Sequence, residues 1–130
     1  MEKGTPLRSI IEKEITNYFN GKDLFLVDIK VLSSGKIEIF ADSLVNITID
    51  ECAQISRHIH QFLESNSLMT DNLSLDVSSP GIDEPLKVAQ QFQKQLNKQV
   101  DVVLKNGLKI TGELLSATTN EIVVKETITI

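Results

Sequence analysis

The chain has 130 residues, of which 41% are hydrophobic and 24% are charged, and its formal net charge at neutral pH is −5. This composition is typical of a soluble globular protein, and no apolar run approaches the roughly 20 residues that cross a bilayer. The net acidity argues against a protein that binds nucleic acid through bulk electrostatic attraction. The single cysteine, Cys52, cannot form an internal disulfide and has no second cysteine or suitably placed histidine with which to hold zinc.

The first helix is predicted near the N-terminus. Thr5 is the expected N-cap and Pro6 the first helical residue, and the pattern ends at Asn20-Gly21. Residues 24–32 and 36–40 then alternate as two strands joined by a turn, which predicts a hairpin. The apolar residues at helical spacing are Leu7, Ile10, Ile11, Ile15, Tyr18 and Phe19.

A second helix should follow, opened by Thr48 and Glu51 at the spacing of a capping box. Arg57 lies opposite the apolar stripe of this helix and should project into solvent. A further strand runs through Leu75 and Val77, which completes an αββαβ unit with both helices on one face of a three-stranded sheet. The apolar stripe consists of Cys52, Ile55, Ile59, Phe62 and Leu63.

The third strand stops abruptly in a turn formed by Ser78, Ser79, Pro80 and Gly81. Pro80 removes a ladder donor, and Gly81 allows a backbone turn at positive φ. The two hydroxyls and the backbone amides could be presented to a phosphate or to a partner's backbone. The alternative is an ordinary domain-boundary turn whose serines satisfy local amides.

The domain prediction is an N-terminal αββαβ domain at residues 1–82, a connector at 83–87 and a C-terminal domain at 88–130. Val88–Asn97 suits a short helix or turn, and Asn106-Gly107 between two apolar runs is a strong hairpin signal. The following strands predict a small all-β domain of the SH3-like or Sm-like barrel type. Three evident strands cannot close a barrel, so we expect an exposed edge at residues 121–130.

Charge is divided unevenly between these domains. Residues 1–86 carry seven Lys and Arg against fourteen Asp and Glu, for −7, whereas residues 87–130 carry six Lys against four Asp and Glu, for +2. The acidic half favours a basic protein partner, and the mildly basic half is suited to phosphate. The basic concentration is formed by Lys87, Lys94, Lys98, Lys105 and Lys109, and it is opposed by Asp101.

Two segments of the chain resemble the ribosome maturation factor P (RimP) family: Leu75–Lys87, with its Ser-Ser-Pro-Gly turn, and Ile47–Arg57. The resemblance covers nearly the whole chain and is clearest from Val27 to Leu86. It implies a non-enzymatic bacterial assembly factor in the cytoplasm. Such a factor would bind the free small ribosomal subunit beside ribosomal protein twelve and nearby ribosomal RNA, and leave before translation.

The chain departs from the family pattern in two places. Glu84 stands where the family usually has a basic residue, which weakens any phosphate contact assigned to that position. The chain also stops at Ile130, whereas family members generally continue with further strands, so either it is truncated or its last domain is small.

The residues that we expect to contact partners follow from these observations. Lys105 and Lys109, on the second hairpin, are predicted to face RNA, although isolated lysines are often only solvated. Arg57 could bind phosphate or carboxylate, with a solvated surface charge as the alternative. The predicted partner-binding cluster is Arg57, Ser78, Ser79, Gly81 and Asp83.

The sequence leaves two other function classes as alternatives, a general interaction module and an enzyme. An open barrel edge would suit a general interaction module that captures an extended peptide by strand addition. An enzyme is the weakest reading, because no acid–base or nucleophilic set converges in sequence, and His58 and His60 point to different sides of their helix. We expect no cofactor, no metal, no membrane and no small-molecule substrate. A monomer is the default, although an unpaired edge permits dimerisation.

Overall fold

A computed structural model describes residues 6–81 and 84–127 of the protein. The chain divides into two compact units, Met1–Glu84 and Pro85–Ile130, hereafter unit 1 and unit 2. Among the described residues no helix is both long and apolar enough to span a membrane.

Unit 1 has the predicted αββαβ order. The central strand pairs antiparallel with the first strand and parallel with the third, so the sheet order is β1-β2-β3. The parallel pair arises because the second helix returns the chain across the sheet between them. The elements are α1 (Leu7–Phe19), β1 (Leu24–Val31), β2 (Lys36–Ser43), α2 (Ile49–Ser65) and β3 (Ser74–Ser78).

The two helices of unit 1 begin in different ways. The prediction placed Pro6 inside α1, but Pro6 is its N-cap, with an extended backbone at φ −62° and ψ 139°, and Thr5 lies outside the described residues. The predicted capping box of α2 is confirmed. Thr48 Oγ1 accepts from the Glu51 amide at 3.0 Å, and a Glu51 carboxylate oxygen accepts from the Thr48 amide at 3.0 Å. Two side-chain oxygens thus satisfy two backbone amides that the helix start would otherwise leave unpaired.

Both helices pack on one face of the unit 1 sheet, as predicted. Alternate side chains of β2 point to that face, where Ile37, Ile39 and Ala41 are completely buried. The remaining members come from α1, α2 and β1, so the core is a single layer between helices and sheet. The buried core cluster is Ile11, Ile15, Phe19, Ile29, Ile37, Ile39, Ala41, Ile55, Ile59 and Leu63.

The outer edge of β1 is closed by side chains. The register of the β1–β2 pairing shifts between Leu26 and Asp28. Just beyond this shift, Arg8 Nε donates to the Ile29 carbonyl at 3.0 Å. The Ile29 amide donates to Asp28 Oδ1 at 2.9 Å, and the same oxygen lies 3.3 Å from an Arg8 terminal nitrogen. The backbone amide and carbonyl of Ile29 are therefore hydrogen-bonded to side chains, so they are not left free for a strand of another molecule.

Unit 2 consists of a short helix followed by three antiparallel strands in the order β4-β5-β6. The predicted short helix is confirmed, and so is the Asn106-Gly107 hairpin, where Gly107 has φ +90°. The apolar residues Ile110, Leu114 and Leu115 lie in one long strand. The elements are α3 (Ala89–Lys94), β4 (Gln99–Val103), β5 (Lys109–Ala117) and β6 (Ile122–Glu126).

The sheet of unit 2 does not close into a barrel within the described residues, where β4 and β6 each pair only with β5. The expected open edge is therefore found at β6, as far as Glu126. Gly112 lies where β5 and β6 approach closely, because a Cβ there would overlap the backbone carbonyl of Lys125. Leu114 is the one fully buried apolar side chain described in this unit.

Candidate partner-binding surfaces

The Ser78–Gly81 turn begins where β3 ends. Ser78 is half-buried and pairs with Phe40 across the parallel ladder, whereas Ser79 and Gly81 are exposed. Neither serine hydroxyl bonds to any described residue, so the alternative in which they satisfy local amides receives no support. The hydroxyls are available to an outside acceptor or donor.

Gly81 does not use the positive φ that glycine allows, because the positive-φ glycines described are Gly21, Gly35 and Gly107. A Cβ at Gly81 would meet only Glu84 Cγ, at an ordinary 3.8 Å. The turn is closed instead by the Glu84 amide, which donates to the Gly81 carbonyl at 3.1 Å. Asp83, the last member of the predicted cluster, lies outside the described residues.

Arg57 is exposed on α2, as predicted, because the buried side of this helix carries Ile55, Ile59 and Leu63. It forms no hydrogen bond or ion pair with another described residue, including the described residues of the Ser78–Gly81 turn. Among the described residues, therefore, no direct polar contact joins Arg57 to the rest of the predicted cluster.

The two lysines predicted to face RNA differ in their surroundings. Lys105 lies in the exposed turn between β4 and β5 and has no ion pair with a described residue. Lys109 is not a free cation, because its Nζ lies 3.4 Å from Asp101 Oδ2. Thr111 Oγ1 donates to the other oxygen of Asp101 at 2.8 Å. This hydrogen bond is the largest cause that lowers the pKa of Asp101 below its ordinary value. The contact with Lys109 lowers the pKa further.

The histidines point to different neighbours, as expected. His58 Nε2 lies 3.0 Å from Glu14 Oε2 on α1, and its ring stacks on Tyr18 with centroids 4.2 Å apart. His60 Nδ1 lies 3.4 Å from Glu64 on its own helix. His58 is thus a link between the helices rather than a surface histidine. No group of potential metal ligands occurs among the described residues.

Cys52 is half-buried instead of lying within the core. Burial is the largest cause that raises the pKa of its thiol, and the negative charges of Glu51 and Asp42 raise it further. A thiol with a raised pKa is a weak nucleophile at neutral pH. Its surroundings are opposite to those that activate a catalytic cysteine.

Sequence reasoning missed an apolar surface between β2 and α2. Leu44, Val45 and Ile49 are 52%, 72% and 89% exposed, and we call these three residues the β2–α2 corner. The signal was present in the sequence, since Ile49 is an aliphatic residue in the first turn of α2 that does not share the phase of its apolar stripe.

Comparison with known proteins gives a consistent result. A family model described as the RimP N-terminal domain matches residues 14–83, from within α1 to the end of unit 1's last strand and turn. A protein from Porphyromonas gingivalis named ribosome maturation factor RimP is 31% identical over 109 residues, which cover 84% of this chain and 70% of that protein.

Two further relatives carry the same name. The protein from Cytophaga hutchinsonii is 37% identical over 106 residues, covering 78% of this chain and 64% of its own. The protein from Christiangramia forsetii is 31% identical over 117 residues, covering 89% of this chain and 74% of its own. The similarity therefore extends beyond unit 1 into unit 2.

Proposed function

The chain belongs to the ribosome maturation factor RimP family, and from this premise we propose that it binds the free small ribosomal subunit during maturation and leaves before translation. It acts by binding rather than by catalysis. Family membership is the observation that carries the proposal. The described residues add surfaces suited to binding, namely an exposed turn with unpaired hydroxyls and an exposed lysine hairpin.

The division of charge suggests which unit meets which component of the subunit. Unit 1 carries −7 and suits a basic ribosomal protein, for which protein twelve of the small subunit is the proposed partner. Unit 2 carries +2 and suits the phosphates of nearby ribosomal RNA. Long-range attraction of both signs would orient the protein during its approach.

Within this arrangement, Lys105 is the stronger candidate for RNA contact. Lys105 is exposed at the tip of a hairpin and forms no ion pair with a described residue, whereas Lys109 must give up its contact with Asp101 to face phosphate. The sheet of unit 2, with its three antiparallel strands, is proposed to be part of an SH3-like barrel. The proposed partner-binding residues of unit 1 and the connector are Arg57, Ser78, Ser79, Gly81 and Asp83.

The experiment that tests the proposal is co-sedimentation with separated small subunits, large subunits and joined ribosomes, at low and at moderate salt. Selective pelleting with free small subunits is the expected result. Equal pelleting with all three particles, or none with small subunits at either salt, would contradict it.

The RNA-facing role of the hairpin is tested by charge reversal of Lys105 and Lys109 together. If both contact phosphate, the plot of log affinity against log salt should lose about 1.4 to 1.8 units of slope, since each phosphate contact contributes about 0.7 to 0.9. The matched control is Lys13→Glu with Lys30→Glu, which makes the same charge change in unit 1 and should not lower the slope. An unchanged slope in the hairpin variant would remove the lysines from the RNA interface.

A second candidate function is capture of an extended peptide by the edge of β6, favoured by the exposure of Ile122 and Val123 along that strand. The Thr127 amide and the Glu121 carbonyl bond inward, to Thr111 and Thr118. Because backbone direction alternates along a strand, the Val124 amide points away from β5.

The Val124 amide offers a specific test of strand addition. Val124→Pro should abolish peptide binding while leaving the β5–β6 pairing intact, because proline is tolerated on an edge when the lost donor faces outward. Binding that survives removal of all ribosomes and disappears in this variant would favour peptide capture. Ribosome binding that is unaffected by Val124→Pro would exclude the edge from the interface.

A further inference from the structure

The β2–α2 corner exposes more apolar side-chain surface than a structural role explains. Its three residues fall within a stretch of six, and Val45 and Ile49 are more exposed than the other large apolar residues described in unit 1. Ile47, between them, packs against the core instead. Single exposed aliphatic residues are ordinary, whereas a group of them on a stable unit commonly marks a contact surface.

The backbone that carries the corner is held in place. The Leu44 amide donates to the Asp23 carbonyl at 3.0 Å, and the Val45 amide donates to Oγ of the buried Ser43 at 3.3 Å. The capping box fixes the start of α2, where Ile49 is the first residue. The apolar side chains are therefore presented from an ordered backbone, so a partner would lose little free energy in ordering it.

The charges around the corner indicate what kind of partner it accepts. Asp50 and Glu51 occupy the first turn of α2 directly after Ile49, and unit 1 as a whole carries −7. Phosphate would be repelled here, and a lipid surface with anionic headgroups would be repelled as well. A segment that carries both cations and aliphatic side chains matches both properties of the surface.

We propose that the β2–α2 corner is the docking surface for a basic segment of a protein component of the small subunit, with Val45 and Ile49 as apolar anchors and Asp50 as a charged neighbour. This inference rests on the proposed function and names the part of unit 1 that carries it out. It adds a surface outside the predicted cluster at Arg57 and the Ser78–Gly81 turn.

The energetic test replaces the anchors with serine. Val45→Ser with Ile49→Ser should weaken binding to free small subunits tenfold or more, because both substitutions remove apolar surface that binding would take out of water. The salt dependence should remain unchanged, since no charge is removed. Val31→Ser with Leu32→Ser is the matched control, with the same chemical change on less exposed residues of unit 1, and it should change the affinity less than twofold.

A third variant separates charge from apolar contact. Asp50→Asn should reduce the salt dependence of binding with a smaller loss of affinity, because Asp50 is exposed and its contribution is screened. Thermal unfolding of every variant would show that unit 1 remains folded. If the double serine variant binds free small subunits as tightly as the wild type does, the inference that the corner is the docking surface is wrong. The proposed function would be unaffected.

Photo-crosslinking from the β2–α2 corner identifies the class of partner that binds there. Benzoylphenylalanine at position 45 of the full chain, irradiated on free small subunits, should label a basic ribosomal protein. Labelling of ribosomal RNA, or no labelling of bound subunits, would overturn the inference. Absence of any subunit binding by the wild type would instead overturn the proposed function together with this inference, so the two failures are distinguishable.

Discussion

Unit 1 and unit 2 each contain a three-stranded sheet, but they differ in what covers it. In unit 1, two helices bury one face and produce a core cluster of ten buried apolar residues. In unit 2, the helix is one of six residues, and Leu114 is the fully buried apolar side chain that the structure describes there. Sheet formation alone therefore does not generate a core, which requires a second layer with a matching apolar face.

The difference separates two physical roles. Burial of ten apolar residues gives unit 1 the main source of stability that a small domain can have, so it can serve as a rigid platform. Unit 2 exposes many of its aliphatic residues, and we expect its strands to open more readily than those of unit 1. Its exposed large apolar residues are Val103, Leu104, Leu108, Leu115, Ile122 and Val123.

The strongest test of this comparison removes one core side chain from each unit. Ile59→Ala should lower the free energy of unfolding of unit 1 by about 3–4 kcal/mol, because the completely buried side chain leaves a cavity. Leu114→Ala should abolish the protection of β4–β6 while leaving unit 1 unchanged. Hydrogen exchange resolved by residue measures both effects in one chain. Loss of protection in both units from either substitution would show that they unfold as one cooperative body.

A smaller effect is expected from adding one methyl group at two glycines. Gly112→Ala should destabilise unit 2 by about 1–3 kcal/mol or more, because the new Cβ would overlap the carbonyl of Lys125 on the paired strand. Gly81→Ala should change stability by less than about 0.5 kcal/mol, since its φ is not positive and its surroundings are open. Chemical denaturation measures both.

The Gly81→Ala variant also tests whether the Ser78–Gly81 turn contacts the small subunit. Because its fold should be intact, any loss of subunit binding by Gly81→Ala would report on the contact surface directly. A large destabilisation by this variant would contradict the described geometry.

The smallest effect is expected at the exposed face of unit 2. The hydrogen bond from Thr111, with Lys109, lowers the pKa of Asp101. A carboxyl whose pKa is lowered by folding adds stability above its unfolded pKa, and this contribution is lost as pH falls through the folded pKa. Thr111→Val should raise the pKa of Asp101 towards its ordinary value, with only a slight change in acid stability because the group is exposed.

Carboxyl-detected NMR titration of the wild type and Thr111→Val measures that shift. An Asp101 titration that is identical in the two proteins would exclude the hydrogen bond in solution.

Local sequence patterns predicted most of the secondary structure. The stripe through Ile55 and Ile59, the capping box at Thr48 and the Asn106-Gly107 turn each depend on residues close together in the chain. The predicted exposure of Arg57 follows from the same helical periodicity. These features are predictable because their geometry is decided within a few residues.

The features that sequence reasoning missed depend on distant partners. The ion pair of Lys109 with Asp101 requires the strand register that pairs Asp101 with Thr111, and the contact of His58 with Glu14 joins two helices. Gly81 does not adopt the positive φ that its place in the turn allowed, because glycine permits this conformation without requiring it. The phase of Ile49 on α2 was a local signal of its exposure, whereas the exposure of Val45 could not be inferred without knowing which side chains the core had already accommodated.

The pairing of Arg8 with the edge of β1 has a consequence for how the protein behaves when it is made at high concentration. A strand with free backbone groups can recruit a strand from another molecule and seed the growth of fibrils. The guanidinium of Arg8 and the carboxylate of Asp28 occupy those groups at Ile29, so growth from that position must first break their contacts. Arg8 and Asp28 thereby hinder aggregation through the edge of β1 at Ile29.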